Sequence, residues 1–164
     1  MTRGHDLDPA KLAAYLALKE VSSLLQDAVE QQLKADGGLT GTQFQILAML
    51  GDAPRNTMRM TDLADGIVHS RSGLTYQAAQ LEKSGLVTRG PSADDERSTV
   101  VTLTEAGRGL LLQVLPGHVE VVQELLLDTL SDADIAAITD IMGRVRTSMR
   151  ARPPRSARRA QPKA

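Results

Sequence analysis

The middle third of this 164-residue sequence carries its most constraining feature, a series of helix signals that ends in two short β-branched segments. Residues 40–43 form a capping box that opens one predicted helix, and Thr61 is the predicted N-cap of a short second helix. A third helix is predicted over residues 71–84. Residues 86–89 and 99–103 then predict a two-stranded hairpin, because β-branched runs flank a turn-rich stretch. A hairpin that directly follows such helices restricts the fold class strongly.

The predicted third helix has a narrow apolar stripe, formed by Leu74, Ala78 and Leu81 at helical spacing. Its opposite face is largely polar and carries one aromatic side chain. A helix of this kind fits the major groove of DNA, which is about 12 Å wide, while a basic hairpin tip such as Arg97 can enter the neighbouring minor groove. The pattern therefore predicts a winged helix-turn-helix. The outward-facing residues of the third helix are Ser72, Tyr76, Ala79, Gln80 and Lys83.

Long helices are predicted on both sides of this domain. An N-cap at Asp8, with a proline after it, starts a first helix that ends at the glycine pair 37–38. Its apolar positions cover more than one stripe, so it is predicted to contact two partners, one of which could be another subunit. Thr104 is the predicted cap of a further helix that Pro116 interrupts, and a capping box at Ser131 opens the last helix.

The net charge of −1 is the average of two opposite segments. Residues 1–143 carry 11 Lys and Arg against 20 Asp and Glu, a net charge of −9, whereas residues 144–164 carry eight basic residues and no acid. Such a tail can bind nucleic acid, a membrane surface or an acidic partner, or remain a solvated disordered terminus. Residues 55–97 carry six basic and six acidic residues. Because this balance is poor for binding phosphate, the tail is expected to add nonspecific DNA affinity.

Several classes of protein are disfavoured by what the sequence lacks. It contains no Cys, which excludes disulfides, thiolate metal sites and thiol-based oxidant sensing. The three histidines, His5, His69 and His118, have no pair at metal-binding spacing, so no metal or cofactor is predicted. The adjacent acids at 94–96 point in different directions on a hairpin, so no catalytic residue and no enzyme is predicted. The absence of about 18 consecutive apolar residues and of a signal peptide predicts a cytoplasmic protein without a membrane.

Six groups of residues within 38–113 form short motifs, each of which is weak alone but which are specific together. They are Leu39-Thr40 with Gln43-Phe44; Thr61-Asp62-Leu63-Ala64; Ser70-Arg71-Ser72-Gly73-Leu74-Thr75; Leu81-Glu82 with Gly85-Leu86-Val87; Asp95-Glu96-Arg97; and Leu103-Thr104-Glu105-Ala106-Gly107. On these motifs the chain resembles MarR-type regulators. The resemblance implies a homodimer that binds an inverted repeat in double-stranded DNA. It also implies a small aromatic or anionic ligand that settles between the dimer helices and the winged domain and releases the DNA.

The fold class that follows is mainly α with a small β-hairpin wing, in which dimerisation helices flank a winged helix-turn-helix. The expected segments are an N-terminal dimerisation helix (1–38), the winged helix-turn-helix DNA-binding domain (39–104), C-terminal dimerisation helices (105–150) and a disordered basic tail (151–164). The expected function is a homodimeric, sequence-specific transcriptional regulator, a repressor that a small-molecule ligand releases. The alternatives are a ligand-sensing protein of the same fold that has lost DNA binding, and an architectural protein that binds DNA without sequence preference.

The resemblance also implies where DNA and ligand bind. By motif position, the recognition segment and the wing supply Ser70, Arg71, Ser72, Thr75, Tyr76, Gln80, Asp95 and Arg97, and the predicted DNA contacts further include Thr61, Lys83 and Arg89. Many relatives have arginine or lysine where this chain has Tyr76 and Gln80, so its recognition helix carries fewer positive charges. The candidate ligand pocket consists of Tyr15, Phe44 and His69. Aromatic residues at apolar helical positions are also typical of a plain core, and His69 also suits a helix end or a contact with the DNA backbone.

Overall fold

The computed structural model describes residues 7–67, 71–92 and 98–151, and the chain divides after Val122 into two compact units. The predicted fold class is confirmed, because helices predominate and one small antiparallel sheet forms the wing. The described helices are α1 (Pro9–Gly37), α2 (Gly41–Asp52), α3 (Met60–Ile67), α4 (Arg71–Lys83), α5 (Glu105–Leu125) and α6 (Asp132–Arg150); the described strands are β1 (Thr57–Arg59), β2 (Val87–Pro91) and β3 (Thr99–Leu103).

The helix starts lie where the local sequence predicts them, because a helix leaves its first backbone N–H groups without partners inside the helix. Asp8 Oδ1 accepts a hydrogen bond from the Ala10 N–H at 2.9 Å, which starts α1. Thr40 and Gln43 form both bonds of the capping box of α2, at 3.2 and 3.0 Å. Ser131 opens α6 in the same way. These caps confirm the predicted N-termini of the three helices.

The sheet has one strand more than the predicted hairpin. Its order is β1-β3-β2 with antiparallel pairs, and Thr57 of β1 lies opposite Thr102 of β3. The hydroxyl oxygens of these two threonines are 2.9 Å apart. The predicted hairpin is confirmed by the antiparallel pair of β2 and β3. The additional strand β1 was not predicted, because a three-residue edge strand is too short to show an alternating pattern. Arg55 and Asn56 precede β1 with φ angles of 58° and 54°, a left-handed turn that is uncommon for residues other than glycine.

Two further expectations about helix boundaries are corrected. Thr61 is not the N-cap of the short helix, because α3 already begins at Met60 and includes Thr61 as its second residue. Pro116 does not interrupt the following helix, since α5 continues through it. A proline inside a helix costs about 3 kcal/mol, and this cost is offset by packing, because Leu111 and Val114 are buried in the core. Thr104 does cap α5, as predicted, through its hydroxyl and the Gly107 N–H.

The hydrophobic core lies in the unit that ends at Val122. Apart from Leu39, its residues come from the five helices α1, α2, α3, α4 and α5 and from the sheet. Only Leu33 of the long α1 is buried, and no residue of α6 is buried. Many apolar side chains of these two helices and of α5 are therefore exposed. The segment Glu105–Thr129 is long and apolar enough to cross a membrane by length and composition alone, although core helices of soluble proteins meet the same criteria. The core residues are Leu33, Leu39, Phe44, Ile46, Leu47, Leu50, Leu63, Ala64, Leu74, Leu81, Val87, Val101, Leu103, Leu111 and Val114.

Candidate nucleic-acid interface

The helix α4 is held by one side, so that its other side is presented to solvent. Leu74, Ala78 and Leu81 are at most 1% exposed and anchor the helix to the core. The opposite side carries the exposed Ser72, Thr75, Tyr76 and Lys83 and the half-exposed Gln80. This outcome confirms the predicted direction of the polar face. A helix with hydroxyl, amide and ammonium groups along one open side has the donors and acceptors that base edges and phosphates require.

Tyr76 is the large aromatic residue of this face and is 61% exposed. An exposed ring is unfavourable in water unless a partner covers it. Its ring can contact a thymine methyl group or a sugar, and its hydroxyl can donate to a phosphate oxygen or a base acceptor. The geometry is therefore compatible with the predicted DNA contact.

Arg89, a further predicted DNA contact, lies on β2 and is engaged by Glu82 of α4. Its Nε donates to Glu82 Oε2 at 2.8 Å, and its backbone N–H donates to Glu82 Oε1 at 3.0 Å. Nη2 forms an ion pair with Glu82 Oε2 at 2.7 Å. These hydrogen bonds and the guanidinium charge hold the pKa of Glu82 below its usual value, against a smaller effect of burial. The only acid of α4 is therefore ionised and neutralised by Arg89. Its charge does not oppose phosphate as a free carboxylate would.

The turn between α4 and β2 is tied to the start of α5. Gly85 adopts a left-handed φ of 74°, and the Leu86 N–H donates to Leu81 O at 2.9 Å, which closes the helix end. The Thr104 hydroxyl then donates to Gly85 O at 2.7 Å and accepts from the Gly107 N–H at 3.0 Å. Through these hydrogen bonds Thr104 connects the turn after α4 to the first turn of α5.

The remaining predicted DNA contacts are placed only in part. Thr61 is exposed on α3, and Lys83 is exposed at the last residue of α4. Arg71 begins α4. Ser70, Asp95, Arg97, His69 and the side chain of Arg71 lie outside the described residues.

Two of the predicted ligand-pocket residues, Tyr15 and Phe44, are described, and they are not close together within one chain. Phe44 belongs to the same core cluster as Leu33 of α1. Tyr15 is 54% exposed and lies on α1, 18 residues before Leu33. At 1.5 Å per residue, this separation is about 27 Å along the helix. Phe44 instead packs against the ring of His118, with the ring centroids 4.5 Å apart.

The surroundings of His118 contain polar atoms that sequence reasoning missed. Gln32 of α1 donates through Nε2 to Asp36 Oδ2 at 2.9 Å and to Val114 O at 3.1 Å, which joins α1 to α5. Gln32 Oε1 and His118 Nδ1 are buried without a hydrogen-bond partner among the described residues. Burial lowers the pKa of His118, so the imidazole is neutral near pH 7. No local pattern marks these residues, because they lie on different helices.

A groove of about 840 Å³ is lined by residues of α2, α3 and all three strands of the sheet. Its walls combine apolar and charged residues, among them Met49, Met58, Asp52, Arg55 and Asp62. Within residues 7–67, 71–92 and 98–151 there is no group of three His, Asp or Glu side chains that could hold a metal ion.

The sequence and the fold are similar to those of known regulators. The model of the MarR family matches residues 37–98. Sco3205, a MarR family transcriptional regulator from Streptomyces coelicolor whose crystal structure is in complex with DNA, is 30% identical to this chain. The match covers 92% of this chain and 94% of that chain, with a TM-score of 0.86. The chain belongs to the MarR family.

Other relatives of this MarR-family protein agree. AbsC, a MarR family transcriptional regulator from Streptomyces coelicolor, is 30% identical over 92% of this chain and all of that chain, with a TM-score of 0.85. The HTH-type transcriptional repressor YetL of Bacillus subtilis is 28% identical over 143 residues, which are 85% of each chain. The MarR-family protein described here is therefore a transcriptional regulator with a winged helix-turn-helix, and α4 occupies the position of its recognition helix.

Proposed function

We propose that this MarR-family protein is a cytoplasmic homodimer that binds an inverted repeat in double-stranded DNA and represses transcription until a small ligand releases it. The observation that supports DNA binding most directly is α4, which is anchored by a buried stripe and presents Ser72, Tyr76 and Gln80 outward. The neutralised Glu82 removes the one acidic obstacle on this helix. The similarity to Sco3205, whose structure contains DNA, supports the same role.

The proposed contacts divide by chemistry. Ser72, Thr75, Tyr76 and Gln80 contact base edges and sugars in the major groove, because their groups lie along the open side of α4. Lys83, Thr61 and the helix start at Ser70 and Arg71 contact phosphates, and Asp95 and Arg97 belong to a wing that enters the minor groove.

The symmetric dimer is proposed from exposed apolar side chains. Soluble monomers rarely expose large contiguous apolar patches. Leu16, Val21 and Leu24 of α1 are each about half exposed or more, and Ile138 and Val145 of α6 are similarly open. A second copy of the chain would bury these side chains and extend the core. Sedimentation velocity should show a dimer, and Leu24→Glu should shift it toward monomer, whereas a wild-type monomer would contradict the proposal.

One experiment tests sequence-specific binding and symmetry together. Purified protein is incubated with random DNA, and bound sequences are selected and footprinted. A dimer with two recognition helices should enrich an inverted repeat whose half-sites are about 10 base pairs apart. Gln80→Ala should relax the preference at one base position per half-site, while Gln31→Ala, an exposed glutamine of α1, serves as the matched control. A footprint without two-fold symmetry would refute the dimeric mode.

Ligand release is proposed from the resemblance to the family, with YetL named as a repressor. The test is to titrate small aromatic carboxylates and phenols into a complex of the protein with its selected DNA. Release at ligand concentrations that leave the folded protein intact supports the proposal. Retention of DNA with every such compound would leave a constitutive DNA-binding protein instead.

The basic tail is proposed to add affinity without sequence preference. Five basic residues follow Ala151, and the segment 55–97 has no net charge of its own. Each phosphate contact contributes roughly 0.9 to the salt slope of binding to duplex DNA. Deletion after Ala151 should therefore flatten the salt dependence and leave the selected sequence unchanged. An unaltered slope would refute this role.

A further inference from the structure

Glu82 and Arg89 join two elements that are expected to act separately on DNA. Glu82 lies in the last turn of α4, and Arg89 lies on β2, which leads toward the wing. Both carboxylate oxygens of Glu82 have a partner: Oε1 accepts from the Arg89 backbone N–H at 3.0 Å, and Oε2 accepts from Nε at 2.8 Å and lies 2.7 Å from Nη2 in an ion pair. We call this arrangement the Glu82–Arg89 clamp. It ties the side chain of one element to both the backbone and the side chain of the other.

The clamp differs from an ordinary surface ion pair. The side chains of Arg89 and Glu82 are 27% and 36% exposed. The guanidinium donates through Nε to Glu82 Oε2, and its Nη2 lies 2.7 Å from the same oxygen. The pair of Arg144 and Asp140 on α6 makes a single contact at 3.1 Å, with side chains 71% and 70% exposed. Exposed pairs of the second kind contribute little to structure, whereas charge-assisted bonds in a fixed geometry specify orientation.

Because the clamp lies at one end of α4, a small change of angle there displaces the other end of the helix. Ser72 lies ten residues before Glu82, which is about 15 Å along the helix. A tilt of about 10° at the Glu82 end would move Ser72 by about 2.6 Å, which exceeds the tolerance of a well-formed binding site. Hydrogen bonds to base edges require donor and acceptor atoms to lie within about 3.2 Å.

We propose that Glu82 and Arg89 are positioning residues, which set the angle between the recognition helix α4 and strand β2 and thereby determine sequence-specific affinity without contacting DNA. The proposal rests on the proposed function, because it requires α4 to bind DNA. It assigns Arg89 a role other than a phosphate contact. It also assigns a function to an acidic residue on a helix whose partner is a polyanion.

The two roles of this pair predict opposite effects of Glu82→Gln. If Arg89 contacts phosphate and Glu82 only carries charge, the removal of a negative charge near DNA strengthens binding or leaves it unchanged. If the clamp positions α4, Glu82→Gln weakens binding to the selected inverted repeat about fivefold or more. Arg89→Gln should weaken it by a similar factor with an unchanged salt slope, whereas loss of a phosphate contact would lower the slope by about 0.9 for each contact.

The experiment measures dissociation constants of the full-length dimer for its selected DNA and for a scrambled duplex, across a range of salt concentrations. The variants are Glu82→Gln, Arg89→Gln and the double variant, with Asp140→Asn as the matched control from the exposed pair. The clamp predicts that the double variant binds no more weakly than either single variant, because both singles break the same contact. It also predicts that the loss concerns the selected DNA rather than the scrambled duplex.

Further readouts separate the possible failures. Circular dichroism and thermal melting establish that each variant is folded at the assay temperature, so a loss of affinity is not a loss of fold. Amide hydrogen exchange of the DNA-free protein should show faster exchange at Arg89 in Glu82→Gln. If the wild type enriches no sequence, the proposed function fails and the clamp loses its basis. If the wild type binds and Glu82→Gln binds equally or better, or if the Arg89→Gln slope falls, the clamp alone is overturned.

Discussion

Gly107→Ala is expected to destabilise the protein by about 2 kcal/mol, although alanine is the better helix former. A Cβ atom at Gly107 would overlap the carbonyl oxygen of Leu86 and lie 2.7 Å from Leu103 Cδ1. The leucine side chain can move, but the Leu86 carbonyl belongs to the backbone and accepts a hydrogen bond from the Thr104 N–H at 3.1 Å. The substitution must therefore shift the start of α5 away from the turn that follows α4.

The magnitude follows from three contributions. Overpacking of a tight contact costs about 1–3 kcal/mol, and the strained Thr104 hydrogen bond costs about 1 kcal/mol. Replacing glycine by alanine within a helix stabilises the folded protein by about 0.5–1 kcal/mol. The net loss is about 2 kcal/mol, which lowers the melting temperature by roughly 4–8 °C in a chain of this size.

The matched control is Gly109→Ala in the same helix. A Cβ at Gly109 meets no atom within 4 Å, so this alanine should stabilise the protein by about 0.5–1 kcal/mol. Both variants are melted by calorimetry at one protein concentration, because the stability of the proposed dimer would depend on concentration. If Gly107→Ala melts at or above the temperature of Gly109→Ala, the close approach between α5 and Leu86 is incorrect.

Three further outcomes are expected. Leu47→Ala removes a fully buried side chain and should cost about 2–5 kcal/mol in urea unfolding, and a loss below 1 kcal/mol would contradict its place in the core. Thr40→Ala removes a cap of α2 and should cost about 1 kcal/mol by the same assay, whereas no change would show that the cap is dispensable. The folded state keeps His118 neutral, while the unfolded chain protonates it near pH 6.5, so stability should fall as pH decreases through that value. His118→Leu should remove this component, and an unchanged pH profile would contradict the burial of the imidazole.

The parts of the fold that could be predicted are those that short-range chemistry specifies. Asp8, Thr40 and Ser131 cap helices because their side chains reach N–H groups two or three residues away. The open side of α4 was predictable from Leu74 and Leu81, since helical spacing alone places them on one face. The family was predictable from motifs that are read in order along the chain.

The parts that could not be predicted depend on partners distant in sequence. β1 is a strand because Thr57 pairs across the sheet with Thr102, which lies 45 residues later in the sequence. α5 remains continuous at Pro116 because the core holds the residues before it. The role of Arg89 also depended on the fold, since a basic residue on a wing strand is equally suited to phosphate or to an acidic side chain.

By itself, the sequence determined the helix caps, the polar direction of α4, the hairpin, the uneven distribution of charge and the family. Local hydrogen bonds and side-chain periodicity act over a few residues, so they are present in the sequence before folding. Only the tertiary structure decided that Arg89 engages Glu82, that Phe44 packs on His118, and that Gly107 lies against Leu86. These contacts join separate elements, and their geometry arises only when the buried faces of those elements pack into one core.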